Sequence, residues 1–287
     1  MGAGASSISY KTAEEALADG KSQEEIDAWI KANAESTPTY PNLTLVYLKM
    51  QALAEPALMM LEYAKIPYAY EYAFNYWGKS WPECKSLVPF GQVPVLIVDQ
   101  DEKNMICQSG SICRYIASLR PDLFKPSDLL QCGRCDALFS TASELFVATN
   151  PVANFMKGEN FTNAITKFME PGQGWPGWLA RLAQFSKQLQ GPFFFGEKPM
   201  YCDFVAYHHF QTIRSLKADA LDSEPSVVAF MAAFESLDGV KEYLASRPTL
   251  KGVGENPMLT FPDGQAMPTG GAPCEVSKTL SKVKSSA

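Results

Sequence analysis

The chain of 287 residues holds only two histidines, His208 and His209, adjacent in an apolar stretch of helical spacing. A zinc centre needs about four ligands converging from separated positions, so no metal is expected. Basic residues are in deficit: 25 Lys and Arg against 31 Asp and Glu leave a formal charge of −6 and a pI near 5.1. Phosphate backbones are gripped by a clustered basic face, so nucleic acid is not an expected partner. There is no apolar run of about eighteen residues or more, the length needed to cross a bilayer as a helix, and no apolar signal-peptide core follows Met1. The seven cysteines are odd in number and scattered through expected helices and strands, unlike a disulfide framework. A reducing, cytoplasmic setting is therefore expected. Internal repeats are lacking too. What remains is ordinary for a globular protein: 46% hydrophobic and 20% charged residues, in a length that can bury the cores of two modest domains.

Residues 1–40 read as a helical extension. Thr12 with Glu15, and Ser22 with Glu25, match the capping box that starts a helix, and Gly20 ends the first of the two. Ile26, Trp29 and Ile30 share a face of the second, which predicts that the hairpin docks on something. Residues 41–121 alternate strand and helix. Leu43 to Leu48 is an apolar strand, and Ala54-Glu55-Pro56-Ala57 suits a first helical turn, where proline is tolerated. Phe90-Gly91-Gln92-Val93-Pro94-Val95-Leu96 runs a glycine turn into a second apolar strand. Turn residues Asp99 to Glu102 lead to a short strand from Asn104 to Cys107. Gln108-Ser109 then opens a helix from Gly110 to Leu119, with Ser a favoured cap, and Arg120-Pro121 ends it. Residues 128–250 carry apolar pairs at helical spacing throughout. The Gly- and Pro-rich stretch from Pro171 to Gly177 predicts a loop inserted between two helices. Residues 251–287, with several prolines and glycines and a Ser/Lys-rich end, are expected to be an extended or disordered tail.

Several positions could carry chemistry. Proline cannot donate to a sheet ladder, so Pro94 fits an edge, a bulge or a cis bend that turns backbone groups toward a ligand. The helix opened by Gln108-Ser109 presents free N–H groups suited to a carboxylate. Trp81 and Lys85 stand one helical turn apart and project from one face. Tyr47 lies eight residues before Glu55. Together and in this order, these motifs resemble the glutathione-binding half of cytosolic glutathione transferases, and the tyrosine spacing resembles their sigma class, which includes glutathione-dependent prostaglandin D synthases. Phe195-Gly196-Glu197, Cys202-Asp203-Phe204 and the stretch from Val240 to Pro248 are similar to the helical domain of that family. The resemblance covers roughly residues 41 to 250.

The resemblance implies a thioredoxin-like α/β domain followed by an all-α domain, with glutathione as co-substrate in the cleft between them. It casts Tyr47 as the catalytic residue, donating a hydrogen bond that favours the thiolate of a thiol otherwise titrating near 8.5. It assigns Trp81, Lys85, Gln92, Val93, Pro94, Gln108 and Ser109 to glutathione, with Pro94 cis. It also implies a homodimer in which an acidic group near Ser143 or Glu144 reaches the glutathione amine of the partner copy. The second substrate would be a small apolar electrophile, in a pocket walled by Leu48, Met50 and helical-domain side chains, with Trp175 or Trp178 as further candidates. There are departures. Leu53 stands where sigma enzymes carry an arginine six residues after the tyrosine, which counts against prostaglandin isomerase activity. Met200 stands where a Ser or Thr usually caps the helix of Asp203. Leu53 and the two extensions leave a non-catalytic scaffold or binding protein as an alternative, and a glutathione-dependent isomerase or peroxidase as another.

Two motifs remain. Cys132 and Cys135 form a CxxC, but it falls in the first helix of the helical domain rather than after a first strand, so a structural pair is expected. Gly2 with Ser6 fits an N-myristoylation pattern. One acyl chain gives only marginal membrane binding, about 10⁴ M⁻¹. The first forty residues hold three lysines against seven acids, so any membrane association would be weak and reversible.

Overall fold

The computed structural model describes residues 22–27, 39–169 and 178–273. Residues 1–40 and 41–287 separate into two compact units. Of the first unit, residues 23–27 are helical. Its capping box is formed: the Ser22 amide donates to Glu25 Oε2 at 3.0 Å and the Glu25 amide donates to Ser22 Oγ at 3.3 Å. Gly2, the Thr12 box, Gly20, Trp29 and Ile30 lie outside the described residues, as does the loop expected from Pro171 to Gly177.

The second unit begins with a four-stranded mixed sheet. Strands β1 (Leu43–Tyr47), β2 (Ala69–Tyr72), β3 (Val95–Val98) and β4 (Asp101–Cys107) lie in the order β2-β1-β3-β4. β1 runs parallel to β2 and antiparallel to β3, which is antiparallel to β4. Parallel neighbours need a crossover, and α1 (Glu55–Tyr63) supplies it. The first three residues of β3 are buried, which is why it reads as an unbroken apolar run rather than an alternating one. The short helices α2 (Ala73–Tyr76) and α3 (Trp81–Cys84) follow β2, and α4 (Ser109–Leu119) and α5 (Pro121–Phe124) follow β4.

The helical part comprises α6 (Leu129–Phe155), α7 (Gly158–Met169), α8 (Trp178–Ser186), α9 (Tyr201–Leu216), α10 (Pro225–Glu235) and α11 (Val240–Ser246). Its axis is the packing of α9 on α6, and α9 also packs on α1. Aromatic rings join the two layers: Phe204 of α9 lies 5.6 Å from Tyr63 of α1, 5.5 Å from Phe124 and 4.9 Å from Phe234. At the start of α9, Met200 offers no side-chain cap. Asp203 accepts N–H from Met200 at 2.8 Å and from Phe194 at 3.0 Å, so the amide at the cap is answered and the preceding loop is tied to the helix. His208 and His209 are buried on the same helix.

A buried polar knot ties α1 to the last helix. Glu55, in the first turn of α1, ion-pairs with Arg247 just past α11 and accepts the Tyr243 hydroxyl at 3.0 Å. Arg247 donates onward to Gln211 Oε1 at 2.6 Å. Gln51 reaches the same Gln211 oxygen at 3.4 Å and accepts the Leu250 amide at 2.8 Å. The loop that leads from β1 into α1 is thereby held from the helical side.

Three expectations need correction. Strand β4 starts at Asp101, not Asn104, because the reversal is confined to Asp99 and Gln100, both at positive φ (56° and 58°). Ser109 is the first residue of α4 rather than its cap; Gln108 takes the cap position at φ 70° and makes no side-chain capping bond. The third concerns residues 251–287, expected to be an extended or disordered tail. Through Pro273 their described part is ordered. It holds a three-stranded antiparallel sheet, β5 (Thr249–Lys251), β6 (Met258–Thr260) and β7 (Ala266–Pro268). Leu259 and Met267 bury against Tyr72 and Phe74. Gly252, Gly254 and Gly264 serve the turns between strands of three residues each, too short to show a period.

Candidate active site

Tyr47 ends β1, one of the two interior strands of the sheet, and its ring is buried there. Its side chain is 1% exposed, and burial raises its phenol pKa. The Leu53 amide works against that rise, while the charge of Glu55 adds to it. The ring therefore carries its proton at neutral pH. The Leu53 N–H donates to the Tyr47 hydroxyl at 3.2 Å. That bond occupies an oxygen lone pair and leaves the hydroxyl proton to donate elsewhere. The Leu53 side chain, where the family arginine was missed, is one of the apolar walls of the cleft next to Tyr47. Main chain thus supplies a donor to the phenol where the side chain cannot.

Tyr47 opens on a cleft of ≈ 730 Å³. Trp81, Lys85, Gln92, Val93, Gln108 and Ser109 line the same cleft. Pro94 is not on the wall itself; its peptide bond with Val93 is cis. Trp81 belongs to α3 and Lys85 begins the tighter turn that follows it, so the two still share a face. Lys85 is exposed at the rim, with no acidic partner among the described residues. Gln108 Nε2 donates to Gln92 Oε1 at 3.3 Å, linking the loop before β3 to the start of α4. Ser109 and Gly110 set the first turn of α4, with its free amides, on the wall.

The opposite wall is a stripe of α6. Ser140, Ser143, Glu144 and Val147 recur at helical spacing and all face the cleft. Both acidic-side candidates, Ser143 and Glu144, are therefore present there. Arg114 is a cleft residue that reading the sequence missed. Its guanidinium bonds Asp136 at 2.7 Å and lies 4.9 Å above the Phe139 ring. Asp136 also accepts the Tyr201 hydroxyl at 2.8 Å, and the Arg114 guanidinium holds its carboxyl below the usual range. A side chain at Gly110 would meet Arg114 at 2.8 Å and Phe139 at 3.2 Å, so a glycine there permits this approach. The available signal was that Arg114 is the sole charged residue of α4.

Lys49, the positively charged residue two positions after Tyr47, does not reach the cleft. Its side chain is buried and its ammonium lies 5.5 Å from the Phe74 ring centre. Cys132 and Cys135 are free thiols on α6; Cys132 Sγ points at the Pro126 carbonyl at 3.1 Å and Cys135 is buried. Neither lines the cleft.

An α/β half carrying a tyrosine-bearing cleft, closed by a helical half, defines a class. The family of glutathione S-transferase N-terminal domains matches residues 52–119, and that of glutathione S-transferase C-terminal domains matches residues 151–247. The chain belongs to the glutathione transferase family. It is 27% identical over 216 residues to "Glutathione S-transferase P" of Caenorhabditis elegans, covering 72% of this chain and 94% of that protein. It is 28% identical over 211 residues to "Hematopoietic prostaglandin D synthase" of Gallus gallus, covering 72% and 98%. Among solved structures, rat hPGDS complexed with a quinoline matches with a TM-score of 0.61 and 24% identity, covering 74% of this chain and all of that one.

Proposed function

We propose that this enzyme conjugates reduced glutathione to small apolar electrophiles, with Tyr47 donating a hydrogen bond to the sulfur. The observation that carries the reading is the state of Tyr47: a buried phenol whose oxygen accepts the Leu53 N–H at 3.2 Å, on the wall of a cleft shared with Trp81, Lys85, Gln92, Val93 and Ser109. A donor to the sulfur favours the thiolate, which is the attacking form. Nucleophilic attack then forms a carbon–sulfur bond as the electrophile's leaving group, or its π electrons, take up the displaced pair. Lys85 supplies a charge for one glutathione carboxylate, and the first turn of α4 at Ser109 receives the other. Val93 offers main chain for pairing with the peptide backbone.

The electrophile end is framed by Leu48, Met50, Leu53 and Val147. Apolar walls favour an uncharged substrate, and this separates the chain from an isomerase acting on an anionic fatty acid derivative, since position 53 offers no guanidinium. A homodimer is part of the proposal. Phe90 is 81% exposed next to cleft residue Gly91, and Val147 on the α6 wall is 61% exposed. These two side chains are the apolar contacts proposed for the partner copy. Sedimentation should give twice the chain mass; a monomer at micromolar concentration would remove this element.

Turnover of a generic chromogenic electrophile tests the placement of the peptide. Lys85→Ala and Ser109→Ala are each expected to raise the half-saturating glutathione concentration roughly two- to tenfold, the modest range reflecting exposed charge. Turnover at saturation should change less, because both grips are far from the sulfur. If both variants match the parent, glutathione does not lie along this cleft as described.

A further inference from the structure

The sheet β5–β7 ends in a strap that returns to the cleft. Gly270 pairs with Lys49 by two hydrogen bonds, Lys49 N–H to Gly270 O at 3.1 Å and Gly270 N–H to Lys49 O at 2.9 Å. Lys49 follows the catalytic strand closely, so the pairing carries the line of β1 past Tyr47. On the other side, Thr269 Oγ donates to the Asn154 carbonyl of α6 at 2.8 Å. The strap is thus tied, at residues just outside the cleft, to the end of the β1 segment and to α6, the two elements that carry its walls. The next residue, Gly271, lies directly against Trp81 and Leu48: a Cβ there would stand 2.7 Å from Trp81 Cβ and 3.3 Å from Leu48 Cδ2.

We propose that the strap from Thr269 to Gly271 is a positioning element of the active site, holding Trp81 against the glutathione end of the cleft. This rests on the reading of the cleft as a glutathione site. Trp81 emerges from a helix of four residues, too short to fix a large ring by its own hydrogen bonds. Its inner side packs with Leu48 and Val93 on the cluster around Val46 and Val95. Its outer side meets Gly271, which has no side chain and so lets the strap's main chain reach the ring's base. The backbone of Gly271 lies outside the left-handed region. Alanine is therefore conformationally allowed there, and the effect of replacing it comes from the contact with Trp81. The region beyond α11 is in this way part of the site.

Gly271→Ala in the full chain is expected to weaken glutathione binding about three- to tenfold, the range of a methyl forced into a packed contact. Turnover at saturation should change less than twofold. Combined with Trp81→Gly, which removes the Cβ that the new methyl would meet at 2.7 Å together with the ring, it should add nothing. Gly133→Ala, on an open face of α6 with no neighbour within 4 Å, is the control and should match the parent. Should Gly271→Ala fail to fold, Thr269→Val, which removes the hydroxyl's bonds to the Asn154 carbonyl at 2.8 Å and the Pro257 carbonyl at 3.4 Å, carries the same test with a smaller effect in the same direction. An unchanged affinity in these variants, while Trp81→Ala weakens binding, overturns the strap's role and leaves the glutathione site standing. Equal losses with and without Trp81 also overturn it, since a general structural role would give them. If Trp81→Ala itself leaves affinity unchanged, the reading of the cleft fails instead.

Discussion

Tyr47→Phe is expected to lower turnover by roughly one to two decades near neutral pH, with glutathione affinity almost unchanged. The substitution removes one hydrogen bond to a charged sulfur, worth about 1.5–3 kcal/mol, and each 1.4 kcal/mol or so is a decade in rate. The ring's packing survives, because only the oxygen is lost from a buried side chain. The loss should be largest below the thiol's own pKa and shrink as pH rises, since at high pH the thiolate forms without help. Steady-state rates across pH, read separately at saturating and limiting glutathione, check this. A variant that keeps the parent rate at neutral pH would remove the hydroxyl from the reaction.

Breaking the Glu55–Arg247 pair should have the largest effect on stability. Both side chains are buried, 6% and 4% exposed, so removing one partner leaves a charge in a site that water does not reach. Arg247→Leu or Glu55→Leu alone is expected to cost about 3–5 kcal/mol. The double replacement should recover much of that, because two apolar side chains leave no charge stranded. Denaturant unfolding of the parent, both single variants and the double variant checks the pattern. The loss should reach the active site as well: Glu55 begins α1, and the loop just before it delivers the Leu53 amide to Tyr47. Simple additivity of the two single losses would mean that the pair does not act as a unit.

How much of this was legible depended on distance along the chain. Tyr47, Trp81, Lys85, Gln92, Val93, Gln108 and Ser109 sit at strand ends, turns and helix starts, where residue type and spacing already constrain the backbone, and all of them line one cleft. The capping box of Ser22 and Glu25 is local in the same way. The missed features are long-range. Arg114 becomes a cleft residue only because Asp136 and Phe139, on another helix, turn its guanidinium there. The replacement of a side-chain donor by the Leu53 amide could not be read from the letter at position 53, since any residue but proline has that N–H. The misjudged tail shows the limit most clearly. Strands of three residues have no readable period, and the pairing of Lys49 with Gly270 leaves no mark near either residue. Composition rich in proline and glycine matches short strands joined by turns as well as it matches disorder.

The central claim is that Tyr47 stabilises the thiolate of glutathione in this cleft, and the most direct test is a pH titration of bound glutathione followed by thiolate absorbance. With the parent protein saturated, the thiol should titrate at least one unit below its free value of about 8.5, and Tyr47→Phe should return it most of the way. A bound thiol that titrates at its free value in the parent, or at the same lowered value with and without the hydroxyl, would contradict the account.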